Sequence, residues 1–283
     1  MPALPSSLLE TLWAQFAALL PAREEFAPGH PLGCHRRRVP DRTVFEHVVL
    51  ALVHGSGYER ISTPGCSDRT IRRRVKEWAE QGISQAVHAL ALEGYDRMIG
   101  LGLGEISVDG CITKAPSNGR KTGRSPVDRG KQGLKRSVAT DACGVPLAVV
   151  AAGANRHDSL LLGSTLDAAR AQVGAMPETV NINLDRGYDS NKSRLLIAEL
   201  GFRAEIARKG VPAPTQAAKR WVVERTHSWM NDYGKLRRCT ERSGAVVDFY
   251  LYLAAALVTL RMLIRRSTNH YRWQGRPTTR RLQ

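Results

Sequence analysis

Three short apolar stretches of this chain each run into one carboxylate: EISVD ends at Asp109, NINLD at Asp185 and WVVE at Glu224. Acids placed where strands or a helix emerge from a core can hold hard divalent cations, which take oxygen ligands. Phosphodiester chemistry uses such a set, because two Mg²⁺ ions about 3.5–4 Å apart polarise the nucleophile and stabilise the leaving oxygen. Asp109, Asp185 and Glu224 are therefore the candidate catalytic and metal-ligating residues, with two Mg²⁺ as the expected cofactor and Mn²⁺ able to substitute. The five cysteines (Cys34, Cys66, Cys111, Cys143, Cys239) are odd in number and far apart, which argues against a disulfide framework or a zinc knuckle. Reduced, mostly buried thiols are expected, and no Cys/His cluster competes for the metal.

The composition suits that chemistry. Against 26 Asp+Glu stand 42 Lys+Arg, a net charge of +16 and a pI of about 10.2, which favours a polyanionic partner. Nucleic acid leads, a generally basic soluble protein being the plainer alternative. The 283 residues can fill two modest domains, and 42% hydrophobic content excludes a disordered chain. No basic segment followed by an apolar run opens the sequence. The longest apolar stretch, Val246 to Leu260, contains Asp248 and Thr259 and reads as too short to span a bilayer. A cytoplasmic protein without a membrane partner is expected.

The elements that must position the acids change character near Gly100. Residues 7–99 read as helices only: SLLETLWAQFAALL, RTVFEHVVLALVHG, and a sharper pattern from Gly57 to Gly82. There YERIS gives a short helix and TPGC a turn. Ser67 or Asp68 then caps TIRRRVKEW, with Ile71, Val75 and Trp78 on one face. A helix-turn-helix follows, with Arg72, Arg73, Arg74 and Lys76 on or beside the exposed face of its second helix, poised for DNA; a charged helix in a bundle is the alternative.

From Glu105 the order is β-β-β-α-β-α-β-α. EISVDGCI is a strand, KRSVATDACGVPLAVVAAG a hairpin turning at Ala142-Cys143-Gly144, and SLLLGSTLDAARAQ a helix opened by Asp158. TVNINLD is a strand, SNKSRLLIAEL a helix closed by Gly201, FRAEIA a strand, and about Ala217 to Tyr233 a helix. The fold class is α/β: a ribonuclease H-like mixed sheet flanked by helices, preceded by the all-α helix-turn-helix region. The expected boundaries are 1–100 for the helical region, 105–243 for the catalytic domain and 244–283 for a long helix, Ala245 to Arg266, with an Arg-rich tail.

Strand parity sharpens the site. Ile106, Val108 and Ile112 share one face, leaving Ser107 and Asp109 on the other; Val180, Ile182 and Leu184 leave Asn181, Asn183 and Asp185 opposite. If the strands are neighbours, both aspartates project side by side near the C-terminal edge, where ligands bind in such sheets. Glu224 then comes from a helix whose inward stripe is Val222, Thr226, Trp229 and Tyr233, while Arg220, Glu224, Ser228, Asn231 and Lys235 follow another side. Gly119–Arg136 holds seven basic residues against one acid, Asp128, and reads as a loop near Asp109. Its Arg120, Lys121, Arg124, Arg129, Lys131, Lys135 and Arg136 are candidate DNA contacts, or a solvated charge run. Glu224-x-x-His227 lacks a second such motif, so His227 is read as a surface residue or one behind the ligands. His157 with Asp158 reads as a helix start.

The segments VDGCITKAP, GRSPVDRGKQGLKRSVATDACGVPLAVVAAGANRHD, NLDRGYDS and RWVVERTHSWMNDYGKLRRCTERS resemble, in order, blocks of the IS5-family transposases of bacterial insertion sequences. The resemblance covers most of 105–243 and places Asp109, Asp185 and Glu224 on that family's DDE triad. It implies metal-dependent cleavage of transposon ends and strand transfer of the 3′-hydroxyl into target DNA. The implied partners are double-stranded DNA, as terminal inverted repeats and target, and further copies of the chain in a homodimer or higher multimer. A catalytically silent DNA-binding descendant and a nuclease without joining activity are the alternatives. Two positions depart from the family pattern: Ala217 stands where tyrosine is common and Asn231 where lysine is common. Lys235 returns to Glu224's face if the helix continues through Gly234, and would then form a phosphate clamp with Arg220; if Gly234 ends the helix, Lys235 is a surface charge.

Overall fold

Strand alternation replaces helical periodicity at Glu105, and the architecture changes with it. The computed structural model describes residues 4–22, 37–208, 210 and 214–270, excepting the side chains of 214–220 and 269–270. The basic tail at 271–283, Cys34, and the side chains of Ala217 and Arg220 lie outside the described residues. The helical part comprises α1 (Ser6–Ala18), α2 (Asp41–His54), α3 (Tyr58–Ile61), α4 (Asp68–Glu80) and α5 (Ile83–Met98). Ser67 caps α4 by accepting from the Thr70 amide at 3.3 Å. Helix α5 lies beyond those that apolar periodicity marked; it buries Val87, Ala91, Leu92 and Tyr95.

The second part runs β1 (Glu105–Lys114), β2 (Gly123–Arg124), β3 (Gln132–Thr140), β4 (Pro146–Gly153), α6 (Leu162–Val173), β5 (Asn181–Leu184), α7 (Asn191–Glu199), β6 (Arg203–Ile206), α8 (Pro214–Asn231), α9 (Gly234–Arg237) and α10 (Gly244–His270). β1 pairs antiparallel with β3, and β3 with β4; β1 pairs parallel with β5, and β5 with β6. The path β4-β3-β1-β5-β6 is a ribonuclease H-like mixed sheet. β2 joins β3 at Gly133 and Gln132, end to end with β4 along the same edge.

The sheet separates two chemistries by parity. Ile106 and Val108 of β1 and Ile182 and Leu184 of β5 pack into one apolar cluster with Leu162, Leu166 and Ile197 of α6 and α7. Leu134 and Val138 of β3 face the other way, into a cluster shared with α8 and α10. That second cluster continues through Phe16, Phe45, Ile71 and Trp78, so α10 serves as the common core of the helical part and one sheet face. By length and composition Gly244–Thr268 suffices to cross a membrane, contrary to the expectation drawn from its apolar run; 78% of its most apolar window is buried within the protein, as a core helix requires.

Helix α2 ends at Gly55 with φ +68°, and a Cβ there would stand 2.7 Å from the Gly234 carbonyl carbon. The two backbones meet with no room for a side chain. This contact ties the end of α2 to the start of α9, just beyond the helix that carries Glu224.

Candidate active site

Asp109 lies in β1 on the face that looks towards α8, because Ile106 and Val108 turn to the opposite core. The parallel register pairs Ser107 with Asn183, and two further residues bring each strand to its aspartate. Asp185 follows β5 directly. Its carboxylate accepts from the Gly187 amide at 2.7 Å and so starts the short 3-10 turn Arg186–Tyr188. Glu224 is exposed on α8, which packs across β1, β3 and β5. Along the same polar face, Asn181 and Asn183 donate to the two Glu105 oxygens at 2.9 and 2.8 Å, bracing β1 against β5 beneath the acids.

A fourth carboxylate joins them. Asp158 opens a 3-10 turn before α6 and packs on Gly110, where an added Cβ would overlap its carboxylate. Oδ2 accepts from the Lys135 ammonium at 2.9 Å, while Oδ1 is buried without a hydrogen-bond partner. Burial, then the charges of Asp185, Asp158 and Glu224, push the Asp109 carboxyl up to about 6, against a donated backbone bond from Gly110 that lowers it. Tyr188 is fully buried beside Asp158, Asp109 and Asp185; burial first, then those charges, push its hydroxyl well above its ordinary value. Strand and helix periodicity reads Asp158 as a helix start. The signal that could have found its second role is parity in β3, where Lys135 must face away from Arg136, towards α6.

Four acids from four elements make a hard-oxygen donor set, and the orphaned Asp158 oxygen is the kind of atom a cation satisfies. The set fits a divalent cation in chemistry. As they stand, no three His, Cys, Asp or Glu side chains among the described residues are close enough together to hold a metal. The carboxylates surround Asp109 without closing on a common point.

Several expected cation positions are corrected by burial. Arg74 is 0% exposed: it pairs with Asp41 and lies over the Trp78 ring at 5.9 Å, because position 74 falls between Ile71 and Trp78 on the buried stripe. Lys135 and Arg136 belong to β3, not to a loop, and are both buried. Lys135 meets Asp158, and Arg136 donates to Asn231 Oδ1 at 2.9 Å. Asn231 thus receives a cation delivered from the sheet. Lys235 is also buried, since α8 stops at Asn231 and Gly234 begins α9. Lys121 is half-buried on Asp248 of α10, both oxygens 2.6 Å from its ammonium. Arg120, Arg124, Arg129 and Lys131 remain exposed, as do Arg73, Lys76 and Arg72, which pairs with Glu59 and Asp68.

Helix α8 turns inward by Val223, Thr226, His227 and Met230, with Val222 and Trp229 only half-buried. His227 is buried against the Asp109 backbone and held neutral down to about pH 3 by burial, then by the Arg136 cation. Cys66 and Cys239 are buried; Cys111 and Cys143 are partly so, all four free.

These exposures separate two kinds of arginine on α4. Arg73→Ala and Lys76→Ala should leave the urea midpoint within the ~0.5 kcal/mol usual for surface changes and weaken DNA binding in a gel shift. Arg74→Ala should do the reverse, lowering the midpoint. Equal DNA binding by Arg73→Ala and wild type would remove the recognition role from this helix.

The chain matches the family described as Transposase DDE domain over residues 101–260, and a family of candidate transposases of the IS4/5 type over residues 8–88. It is 35% identical over 143 residues to a candidate transposase for insertion sequence element IS402 of Burkholderia cepacia, spanning 49% of this chain and 68% of that protein. Among solved structures it is similar to the catalytic core domain of BIV integrase, at 14% identity and TM-score 0.29 over 60% of this chain and 99% of that one. It is also similar to the Mos1 mariner paired end complex with Mn, at 11% identity and TM-score 0.32 over 94% of this chain and 88% of that one.

Proposed function

The chain belongs to the Transposase DDE domain family, and from that premise we propose that Asp109, Asp185 and Glu224 are the carboxylates at which it cuts and joins DNA. It is a DNA transposase dependent on a divalent metal. The observation that supports the assignment of these three residues is the meeting of β1, β5 and α8 at one polar face, where Asp185 and Glu224 act on the half-buried Asp109 carboxyl.

Two Mg²⁺ ions held by the three acids would supply Lewis-acid stabilisation of charge on the attacking and leaving oxygens. The chain's own groups do the rest. Lys135 neutralises Asp158, so the fourth carboxylate can adjust the local charge without adding a full negative unit. Asn181 and Asn183 hold the strands that carry the acids in register. Exposed Arg120, Arg124, Arg129 and Lys131, on the segment linking β1 to β3, hold the DNA backbone near the acids, and Arg73 and Lys76 contact the transposon end. Water attacks a phosphodiester at the end and leaves a 3′-hydroxyl, which attacks target DNA in the same site. Several copies of the chain assemble on the paired ends.

The test is incubation of the protein with Mg²⁺ and duplexes carrying the inverted repeats that flank its gene. Metal-dependent nicking that yields a 3′-hydroxyl, followed by joining to a second duplex, is expected. Cutting without transfer of precleaved ends would reduce it to a nuclease, and specific binding without cutting to a silent DNA-binding protein.

A further inference from the structure

One residue past Glu224, α8 presents a second surface, turned by about 100°. The Arg225 guanidinium lies 4.3 Å from the Trp221 ring centroid and 4.7 Å from that of Trp229. It donates to the Cys143 carbonyl at 2.8 Å, in the turn between β3 and β4, and its Nε is buried without a partner. A planar cation clamped between two indoles is fixed in place before any ligand arrives. Helix α10 brings Arg261, Arg265 and Arg266 to the same cavity, of about 490 Å³, which Trp229 and Asp232 complete.

Four guanidiniums share this space with one exposed carboxylate, and among the described residues none of the four is in an ion pair. Arg261 and Arg265 follow i,i+4 spacing, where like charges repel. The negative end of a helix favours cations in its last turn, but Arg261 lies more than two turns before α10 ends at His270. Arg261 lies over the Tyr233 ring and Arg266 over the Tyr95 ring, with Cys143 and Asp141 acting on Arg266, so the four are held in place with their outer N–H groups left for an anion. A polyanion with repeated phosphate oxyanions matches them, since planar guanidiniums pair with such groups in forked geometry. The neighbouring Glu224 makes one polyanion the natural occupant.

We propose that the cavity between α8 and α10 is a phosphate-binding site that grips the backbone of a DNA strand running away from Glu224. This rests on the transposase reading above. The contacts are to phosphate, so the grip is independent of base sequence. Asp232 weakens it, as the carboxylate among the described residues that line the cavity.

The test uses the full chain, a random-sequence duplex, and binding measured across a salt series. Arg261→Gln/Arg265→Gln, both at exposed positions, should flatten the slope of log Kobs against log salt by about 1.8, since each phosphate left unneutralised lowers it by roughly 0.9. Asp232→Asn should bind the duplex more tightly at low salt. The urea midpoint of each variant should match wild type. A wild-type slope in the double variant, or no gain in Asp232→Asn, would overturn the proposal while leaving the transposase reading intact. Calorimetry with inorganic phosphate gives the other source its own arm: phosphate binding abolished in the double variant, with an unchanged DNA slope, would make this a free-anion site. A wild-type protein that binds no DNA would refute both readings.

Discussion

Asp109→Asn, Asp185→Asn and Glu224→Gln should each take metal-dependent cleavage of transposon ends below detection, with folding and DNA binding near wild type. Each change keeps the side-chain shape and removes the charge that a hard cation requires. The loss should exceed the roughly 10–100-fold that follows from removing a partner of a metal ligand. Asp158→Asn should fall within that smaller range, because its charge is already offset by Lys135 at 2.9 Å. Normal cutting by any of the three variants would remove that residue from the site. Cleavage would be read on end-labelled duplexes, alongside urea unfolding and a gel shift.

The same substitution at Asp109 carries a second, opposite signature. Burial, then the neighbouring acids, raise its carboxyl from 3.8 to about 6 in the folded chain. A folded-state value above the unfolded one means that the folded chain binds the proton more tightly. The stabilisation is fully present below about pH 4 and is lost as pH rises through about 6. At pH 7 the ionised Asp109 therefore weighs against folding when no metal is bound, and Asp109→Asn should be at least as stable as wild type there. Metal affinity needs the ionised form, so cleavage should fall as pH drops through about 6. Urea midpoints at pH 7 and pH 4 in EDTA would check the sign: an Asn variant less stable at both would mark Asp109 as a packing residue. Activity and stability pull against each other here.

The period of the strands made much of this face legible before any coordinates. Ile106, Val108, Ile182 and Leu184 all reach one core, so both aspartates had to reach the other face, and the structure keeps that parity. Ser67 and Gly201 likewise punctuate α4 and α7 through local rules that a sequence carries intact. What local patterns could not show is where a charge finds its partner. Lys135 meets Asp158 across 23 residues and Arg136 meets Asn231 across 95, so a run that reads as a basic loop ends in a strand whose two cations are buried. Arg74 was within reach of helical arithmetic: it lies three residues after Ile71 and four before Trp78, on their face. Its burial is stabilised by Asp41 of α2, a partner visible only in the fold.

Lys235→Ala should cost stability, not catalysis. The ammonium is buried under α3 and α10, 4.8 Å from the Tyr58 ring centroid and 5.4 Å from that of Tyr250, and it donates to Glu241 and to Thr240 at 3.3 Å. Above it the Tyr250 hydroxyl donates to that of Tyr58 at 3.0 Å. One cation thus joins the short helix α3, the segment after α8 and the core helix α10. Removing it leaves the Glu241 carboxylate largely buried without its ion-pair partner, which costs about 3–5 kcal/mol, against the 0.2–1 kcal/mol typical of an exposed pair. The double change Lys235→Met/Glu241→Gln removes both charges and should recover most of that loss, because a neutral pair of similar volume has little to desolvate. A double-mutant cycle on urea unfolding measures the coupling directly. Cleavage per folded molecule and the salt slope of DNA binding should be unchanged in the double variant. A Lys235→Ala protein with wild-type stability but a flattened salt slope would instead return this lysine to the DNA and undo the assignment.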